Sequence, residues 1–277
     1  TDFGRNGEER ATSIAIQPDG KLVIAGYGVG KNAGVTGTDF AIARYNSDGS
    51  LDKSFNGDGK VLTNFTGSSS DSASSVLIQP DNKFVVTGTS YLSGNDIAIA
   101  RYNSNGSLDS AFGKDGRVIT DFGRIDVASS SALQTDGKIV VAGYTNGISN
   151  YYNAALIRYN TNGSLDNTFG KNGRVVTNFG GFNETASAVV LQSSGKIVIG
   201  GLSQPNDSDF ALARYSSDGL LDNSFGKNGI VTTNFEKPFN SSESIKDIAI
   251  QPDGKIVAVG SKNSSGFAIA RYIAFGK

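Results

Sequence analysis

The chain has 277 residues, a formal net charge of −1, and no Cys, His, Met or Trp. A charge this close to zero gives no electrostatic argument for a nucleic-acid partner or an anionic membrane. No stretch reaches the ~18 apolar residues of a membrane-spanning helix. Without Cys and His the chain lacks disulfides, thiolate nucleophiles, the usual zinc ligands and the commonest general base. We therefore expect no cofactor, no nucleic-acid partner and no membrane insertion.

A tight turn between two short apolar strands recurs five times. Its first copy is Gln17-Pro18-Asp19-Gly20-Lys21, between strands predicted at 13–17 and 22–26. Asp-Gly supplies the positive φ angles of a two-residue hairpin, and Pro fixes the approach to it. The other four turns begin at Gln79, Gln134, Gln192 and Gln251. Below, the copies are numbered one to five by these hairpins.

An Arg-Tyr pair marks each copy a second time, at intervals of 56 or 57 residues. The pairs begin at Arg44, Arg101, Arg158, Arg214 and Arg271. The distance from hairpin to pair varies, so variable loops are expected at 27–38, 89–95, 144–153 and 202–209. A repeat of this length predicts a propeller or a solenoid.

Each copy is predicted to contain four strands. The third, 40–45 in copy one, alternates large apolar residues with Ala, and the fourth follows at 61–65. Thr1-Asp2-Phe3-Gly4 matches Thr120-Asp121-Phe122-Gly123, so pairing of the first residues with the last copy would remove an open edge. The sequence therefore predicts an all-β, five-bladed β-propeller with four-stranded antiparallel blades. Its ring is closed by pairing of the N- and C-terminal segments, and residues 1–277 form one domain of five repeats of about 57 residues.

The loop between the third and fourth strands carries the most specific pattern. Copy one reads Asn46-Ser47-Asp48-Gly49-Ser50-Leu51-Asp52-Lys53-Ser54-Phe55. The order Q-P-D-G-K, then D-F-A-x-A-R-Y-N, then G-S-L-D-x-S-F-G-x-x-G resembles the delta-60 repeat family of bacterial proteins over nearly the whole chain. The departures are Ser193-Ser194 for Pro-Asp, Asn82 for Gly, and a fifth copy without the Leu-Asp loop. The resemblance implies a propeller in an exported or cell-surface bacterial protein, and it carries no catalytic signature.

The same loop has the residue types of a calcium site. Asn46, Asp48 and Asp52 are oxygen ligands on a tight turn, as hard cations prefer. Copies two and three replace the turn acid by Asn105 and Asn162. That leaves one carboxylate per loop, so we expect the turn to hold without metal and Asp52 to cap the turn leading to Phe55.

The arginine of the third strand is predicted to be structural. Arg44 shares a strand face with Phe40 and Ile42, and a covered guanidinium needs a carboxylate or several carbonyls. Asp52 and its counterparts Asp109, Asp166 and Asp222 are the expected partners. The alternative is a ring of arginines that binds an anion.

Catalysis on a symmetric ring should use acids that break the repeat. Such acids are Glu8, Glu9, Glu184, Glu236 and Glu243. None accompanies a recognisable nucleophile or oxyanion motif, and we expect no catalytic, cofactor or metal residues. Carboxylate pairs of glycosidases can be far apart in sequence, so the enzyme alternative stays open.

These observations favour a non-catalytic binding or scaffolding module, exported or on the cell surface, that presents its variable loops to a protein or glycan ligand. The sharpest version is a lectin with several equivalent sites, because repeated Asn, Asp and Tyr suit sugar hydroxyls and ring faces. The alternatives are a carbohydrate-active hydrolase with one unique carboxylate pair from different blades, and a calcium-stabilised surface repeat protein.

Overall fold

The structure is a computed structural model that describes residues 1–4, 8–29, 37–67, 70–91, 94–123, 125–146, 151–205, 207–235, 242–262 and 266–273. These residues form nineteen β-strands. There is no helix among them, and hence none that could cross a membrane. The predicted all-β class is confirmed.

The strands form five antiparallel sheets in which neighbours follow chain order. The first sheet contains β1 (Arg10–Ile16), β2 (Leu22–Gly28), β3 (Asp39–Tyr45) and β4 (Lys60–Thr63). The second contains β5 (Ser70–Ile78), β6 (Phe84–Tyr91), β7 (Asn95–Tyr102) and β8 (Arg117–Thr120). The third contains β9 (Asp126–Leu133), β10 (Ile139–Asn146), β11 (Tyr152–Tyr159) and β12 (Arg174–Thr177). The fourth contains β13 (Asn183–Leu191), β14 (Ile197–Gln204), β15 (Asp209–Tyr215) and β16 (Ile230–Thr233). The fifth contains β17 (Glu243–Ile250), β18 (Ile256–Lys262) and β19 (Gly266–Tyr272).

The chain divides into two compact units. The first comprises residues 1–128 and 161–164, and the second comprises 129–160 and 165–277. Each unit has its own apolar core. In the first, Phe40, Phe55 and Phe84 are completely buried with the alanines of β7. In the second, Phe169 and Phe210 are buried in two clusters. The Ala-rich third strands allow this close packing, as their alternation predicts.

A β-bulge in the first strand of the hairpins of copies one, two, four and five explains a glycine on the second strand. The pairing of β5 with β6 shifts register between Ala73 and Ser75. A Cβ on Gly88 would lie 2.1 Å from the Ser72 carbonyl oxygen, so only glycine fits beside the bulge. Gly26, Gly201 and Gly260 stand in the same position.

The first four residues contact copy one as the ends of β4, β12 and β16 contact the copies that follow them. The hydroxyls of Thr1 and Tyr45 hydrogen-bond, as do those of Thr63 and Tyr102 at 2.7 Å. The Phe3 amide donates to Glu9 at 2.6 Å. In the second unit the matching pairs are Thr177–Tyr215 and Thr233–Tyr272.

The predicted closure of the ring is not shown. Residues 1–4 belong to no strand, and the fifth sheet has three strands in the described residues instead of the predicted four. Its outer strand leaves Phe267 82% exposed, whereas the matching Phe210 is fully buried. On β1, Ile14 and Ile16 are also exposed. Closure therefore stays a prediction.

Candidate functional site

The predicted Arg-Asp pair of copy one is present and is joined by a lysine. Arg44 Nε lies 2.8 Å from Asp52 Oδ2, and Lys21 Nζ lies 2.9 Å from the same oxygen. Arg44 also donates to the carbonyl of Ser104, and its guanidinium lies 4.7 Å from the centre of the Phe55 ring. The cation is therefore held by a carboxylate, a carbonyl and an aromatic face.

The same arrangement recurs in copies two, three and four. The pairs are Arg101–Asp109, Arg158–Asp166 and Arg214–Asp222, each at 2.7 or 2.8 Å. The joining lysines are Lys83, Lys138 and Lys196. The predicted pairing is confirmed. The lysine was missed, although it is the last residue of every repeated turn.

These contacts keep the aspartates ionised. The Ser54 hydroxyl, Lys21 and Arg44 outweigh burial and hold the pKa of Asp52 well below its ordinary value. Burial raises the pKa of Asp109, but Lys83, the Ala111 amide and Arg101 outweigh it, so the net pKa is lowered. The arrangement is that of a structural ion pair rather than a site awaiting a ligand.

The loop proposed as a calcium alternative uses its oxygens internally. Asp48 Oδ1 accepts hydrogen bonds from the Ser50 amide and hydroxyl at 2.9 and 2.6 Å. Asp52 Oδ1 accepts from the Ser54 amide and hydroxyl at 3.0 and 2.6 Å. Asn46 Nδ2 donates to the Ser50 hydroxyl. These are the contacts of a turn and a cap.

The acids that break the repeat fall at several places. Glu9 and Glu184 accept main-chain amides of Phe3 and Gly181, and Glu243 accepts the amide of Phe235. The Tyr27 hydroxyl donates to Glu8. Glu236 lies outside the described residues. Glu184 and Glu243 thus bind the main chain just after the fourth strands of copies three and four.

A polar pocket of about 520 Å³ lies in the first unit, lined by turn residues of copies one and two. Its lining includes Gln17, Asp19, Arg44, Asp81, Asn82 and Asn105. Gln17 is 6% exposed, and its Oε1 has no hydrogen-bond partner in the described part of the chain. A buried carbonyl oxygen without a donor costs free energy.

The turn glutamine shows the same deficit in other copies. The Oε1 atoms without a partner in the described residues also include those of Gln79, Gln192 and Gln251. In copy three, Gln134 Oε1 instead lies 3.5 Å from Arg158 Nη1. The unsatisfied acceptor is therefore a property of the repeat and is not confined to copy one.

A cluster of three carboxylates lies in the first unit where strands of copies two and three begin or end. Asp96 is on β7, Asp121 follows β8 and Asp126 begins β9. One carboxyl oxygen from each lies within 4.8 Å of the others. Burial raises the pKa of Asp96, and the charges of Asp121 and Asp126 raise it further. Like charges at this distance oppose joint ionisation.

The matching position in copy one has no such cluster, because an amide replaces one carboxylate. Asn64, which corresponds to Asp121, donates from Nδ2 to Asp39 Oδ1 at 2.8 Å. In the second unit Asn234 donates to Asp209 at 2.7 Å. Copy two thus has a carboxylate where two other copies have the amide donor. The sequence carries this difference as Thr120-Asp121-Phe122 in copy two against Thr-Asn-Phe in copies one, three and four.

The five repeats match a known family. The model described as a domain of unknown function (DUF5122) beta-propeller matches residues 17–55, 79–112, 134–169, 192–225 and 251–273, more than half of the chain. The chain belongs to this β-propeller family. The five matched segments correspond to five sheets, which supports five blades. The match supports a propeller repeat family and not the delta-60 name in particular.

Solved structures share the fold at low identity. A protein of unknown function from Dyadobacter fermentans has a TM-score of 0.54 and 13% identity, over 99% of this chain and 81% of that one. A glucose dehydrogenase has a TM-score of 0.54 and 12% identity, over 95% and 82%. A PL25 ulvan lyase has a TM-score of 0.53 and 12% identity, over 95% and 64%. A comparison with curated protein sequences gives no match.

These structures correct the prediction that the chain is not an enzyme. That prediction is wrong, because a dehydrogenase and a polysaccharide lyase are among the structures that share its fold. The missing Cys and His removed only some catalytic groups, whereas carboxylates suffice for sugar chemistry. At 12% identity the likeness shows the fold and no particular reaction.

Proposed function

We propose that this propeller acts on carbohydrate and binds it in the polar pocket beside Gln17. The observation that carries the proposal is the buried, unsatisfied Gln17 Oε1 in a pocket of about 520 Å³. The volume is in the range of small-ligand sites. The exported or cell-surface location implied by the sequence resemblance belongs to the same proposal.

The charges of the pocket favour a neutral sugar. Its lining contains two carboxylates, Asp19 and Asp81, whereas the one lining cation, Arg44, is already paired with Asp52. An anionic ligand would meet these carboxylates without a free cation to balance it. A neutral oligosaccharide instead offers hydroxyl donors to Gln17 Oε1 and to the two carboxylates.

The recurrence of the unsatisfied glutamine supports several related sites. The turn glutamine returns with each hairpin, and the Oε1 atoms of Gln192 and Gln251 also lack partners in the described residues. Several weak sites on one chain would raise avidity for a polymeric glycan. Binding of this kind is compatible with either retention or cleavage of the glycan.

The test is a glycan array followed by calorimetry with the best neutral oligosaccharide, in the presence of chelator. The variant Gln17→Leu should remove one site, whereas the matched control Gln134→Leu should leave the stoichiometry unchanged, because Gln134 Oε1 already accepts from Arg158 Nη1. Chromatography of the bound glycan shows whether it is cleaved. An unchanged isotherm for Gln17→Leu, a preference for anionic glycans, or binding of proteins only would each overturn the proposal.

A further inference from the structure

We infer that Asp96, Asp121 and Asp126 bind one divalent cation, with calcium as the best fit. The site is separate from the Leu-Asp loops. It runs against the sequence-based prediction that the chain has no metal residues. It also stands independently of the carbohydrate proposal, because it uses none of the pocket residues.

The geometry of the three carboxylates suits a hard cation. One oxygen from each residue lies within 4.8 Å of the other two. Oxygens that coordinate one calcium ion at 2.3–2.6 Å can be no more than about 5 Å apart. Three carboxylates, with carbonyls and water completing the shell, form a ligand set typical of calcium sites.

A buried carboxylate oxygen without a hydrogen-bond partner is a second observation in favour of a bound cation. Asp126 is only 1% exposed, and its Oδ2 accepts the Phe122 amide at 2.6 Å. Its Oδ1 is buried and has no hydrogen-bond partner in the described residues. A cation at this atom would balance the charge of a buried carboxylate.

The repeat itself supplies an internal comparison. In copy one the Asn64 amide bridges to Asp39, so two side chains are satisfied without an ion. In addition, Asp71, which corresponds to Asp126, accepts the Ser90 hydroxyl at 2.5 Å and the Phe65 amide at 2.9 Å. An ionised Asp121 carboxylate has no hydrogen to donate, whereas the Asn64 amide has two. Two differences therefore separate copy two from copy one: Asp121 replaces the Asn64 amide, and Asp126 Oδ1 lacks the hydroxyl donor that Asp71 has.

Asp121→Asn tests this directly, because it installs the residue that copies one and four carry. After treatment with chelator, calorimetric titration with calcium chloride should show one site per chain in the unaltered protein. The variant should lose affinity by more than about tenfold. Its melting temperature without metal should equal or exceed that of the unaltered protein, which verifies that it folds. Magnesium chloride in the same titration should bind more weakly.

A matched control separates this site from the loops. Asp48→Asn removes an exposed loop carboxylate and should leave calcium affinity unchanged. Three results would overturn the inference: no calcium binding at millimolar concentration, unchanged binding by Asp121→Asn, or loss of binding by Asp48→Asn.

Discussion

Arg101 Nε lies 2.8 Å from Asp109 Oδ2, and both side chains are more than 90% buried. Lys83 Nζ reaches the same oxygen at 2.9 Å from a side chain that is 31% exposed. One carboxylate oxygen thus pairs with two cations, of which only the arginine is buried. The cost of disturbing the cluster depends on which member is removed.

Replacing the shared carboxylate should cost far more than replacing the lysine. Asp109→Asn leaves Arg101 buried without a counter-ion, at a cost of about 3–5 kcal/mol in unfolding free energy. Lys83→Met removes a partly exposed partner and should cost less than about 1 kcal/mol. Urea denaturation of the two variants measures both values. Equal losses of unfolding free energy in the two variants would show that Asp109 does not hold Arg101 in the fold.

The same aspartates should make stability fall in acid. Their pKa values are lowered in the folded state. Near and below the unfolded carboxyl pKa of about 3.9, the unfolded chain therefore binds more protons than the folded chain. This contribution is fully present above about pH 5 and is lost as pH falls below that value. The difference in unfolding free energy between the unaltered protein and Asp109→Asn should therefore shrink as the pH falls from about 5 to about 3. A constant or growing difference would contradict the assignment.

The glycine opposite each bulge should not tolerate a methyl group. In Gly88→Ala the added Cβ would lie 2.1 Å from the Ser72 carbonyl oxygen and 2.8 Å from the Phe40 ring, which forces the bulge apart. We expect a loss of about 3 kcal/mol in thermal or urea unfolding. The control is Gly20→Asn, because copy two already carries Asn82 at that turn position with φ 61°. Gly20→Asn should lose much less unfolding free energy than Gly88→Ala. A larger loss in Gly20→Asn would refute the explanation.

Ring closure can be tested by a disulfide, since the chain has no cysteine. In copies one and four, Phe40 and Phe210 pair with Thr63 and Thr233. The repeat places Thr1 opposite Phe267 if the predicted closing strand forms. Opposed residues of an antiparallel pair are close enough for a disulfide, about 4.5–5.5 Å between Cα atoms. The double variant Thr1→Cys with Phe267→Cys should cross-link intramolecularly on mild oxidation. Free thiols after oxidation, or only dimers, would argue against closure.

The sequence predicted the features that every copy repeats. The hairpins, the third strands and the Arg44–Asp52 pair follow from turn chemistry, alternation and the need to neutralise a covered charge. The fourth strand is shorter than predicted, 60–63 instead of 61–65, because the chain turns away after Thr63 and Asn64 binds Asp39. These features could be recognised because the same residues recur at the same spacing in four or five copies.

Features that need three-dimensional neighbours could not be predicted in the same way. Lys21 meets Asp52 across 31 residues, and Asp96 meets Asp121 only through strand pairing. Gln17 was recognised as an anchor of the turn, but its unsatisfied oxygen depends on what the neighbouring turn leaves open. The wrong prediction about enzymes rested on missing residue types, and those absences leave the carboxylates used in sugar chemistry in place.

The most direct test of the proposed function is a crystal structure of the chain with the neutral oligosaccharide selected on the array. The account predicts sugar density in the pocket of copies one and two, with a hydroxyl within hydrogen-bond distance of Gln17 Oε1 and no density there in Gln17→Leu. Density at another surface, with the Gln17 pocket holding only solvent, would contradict it.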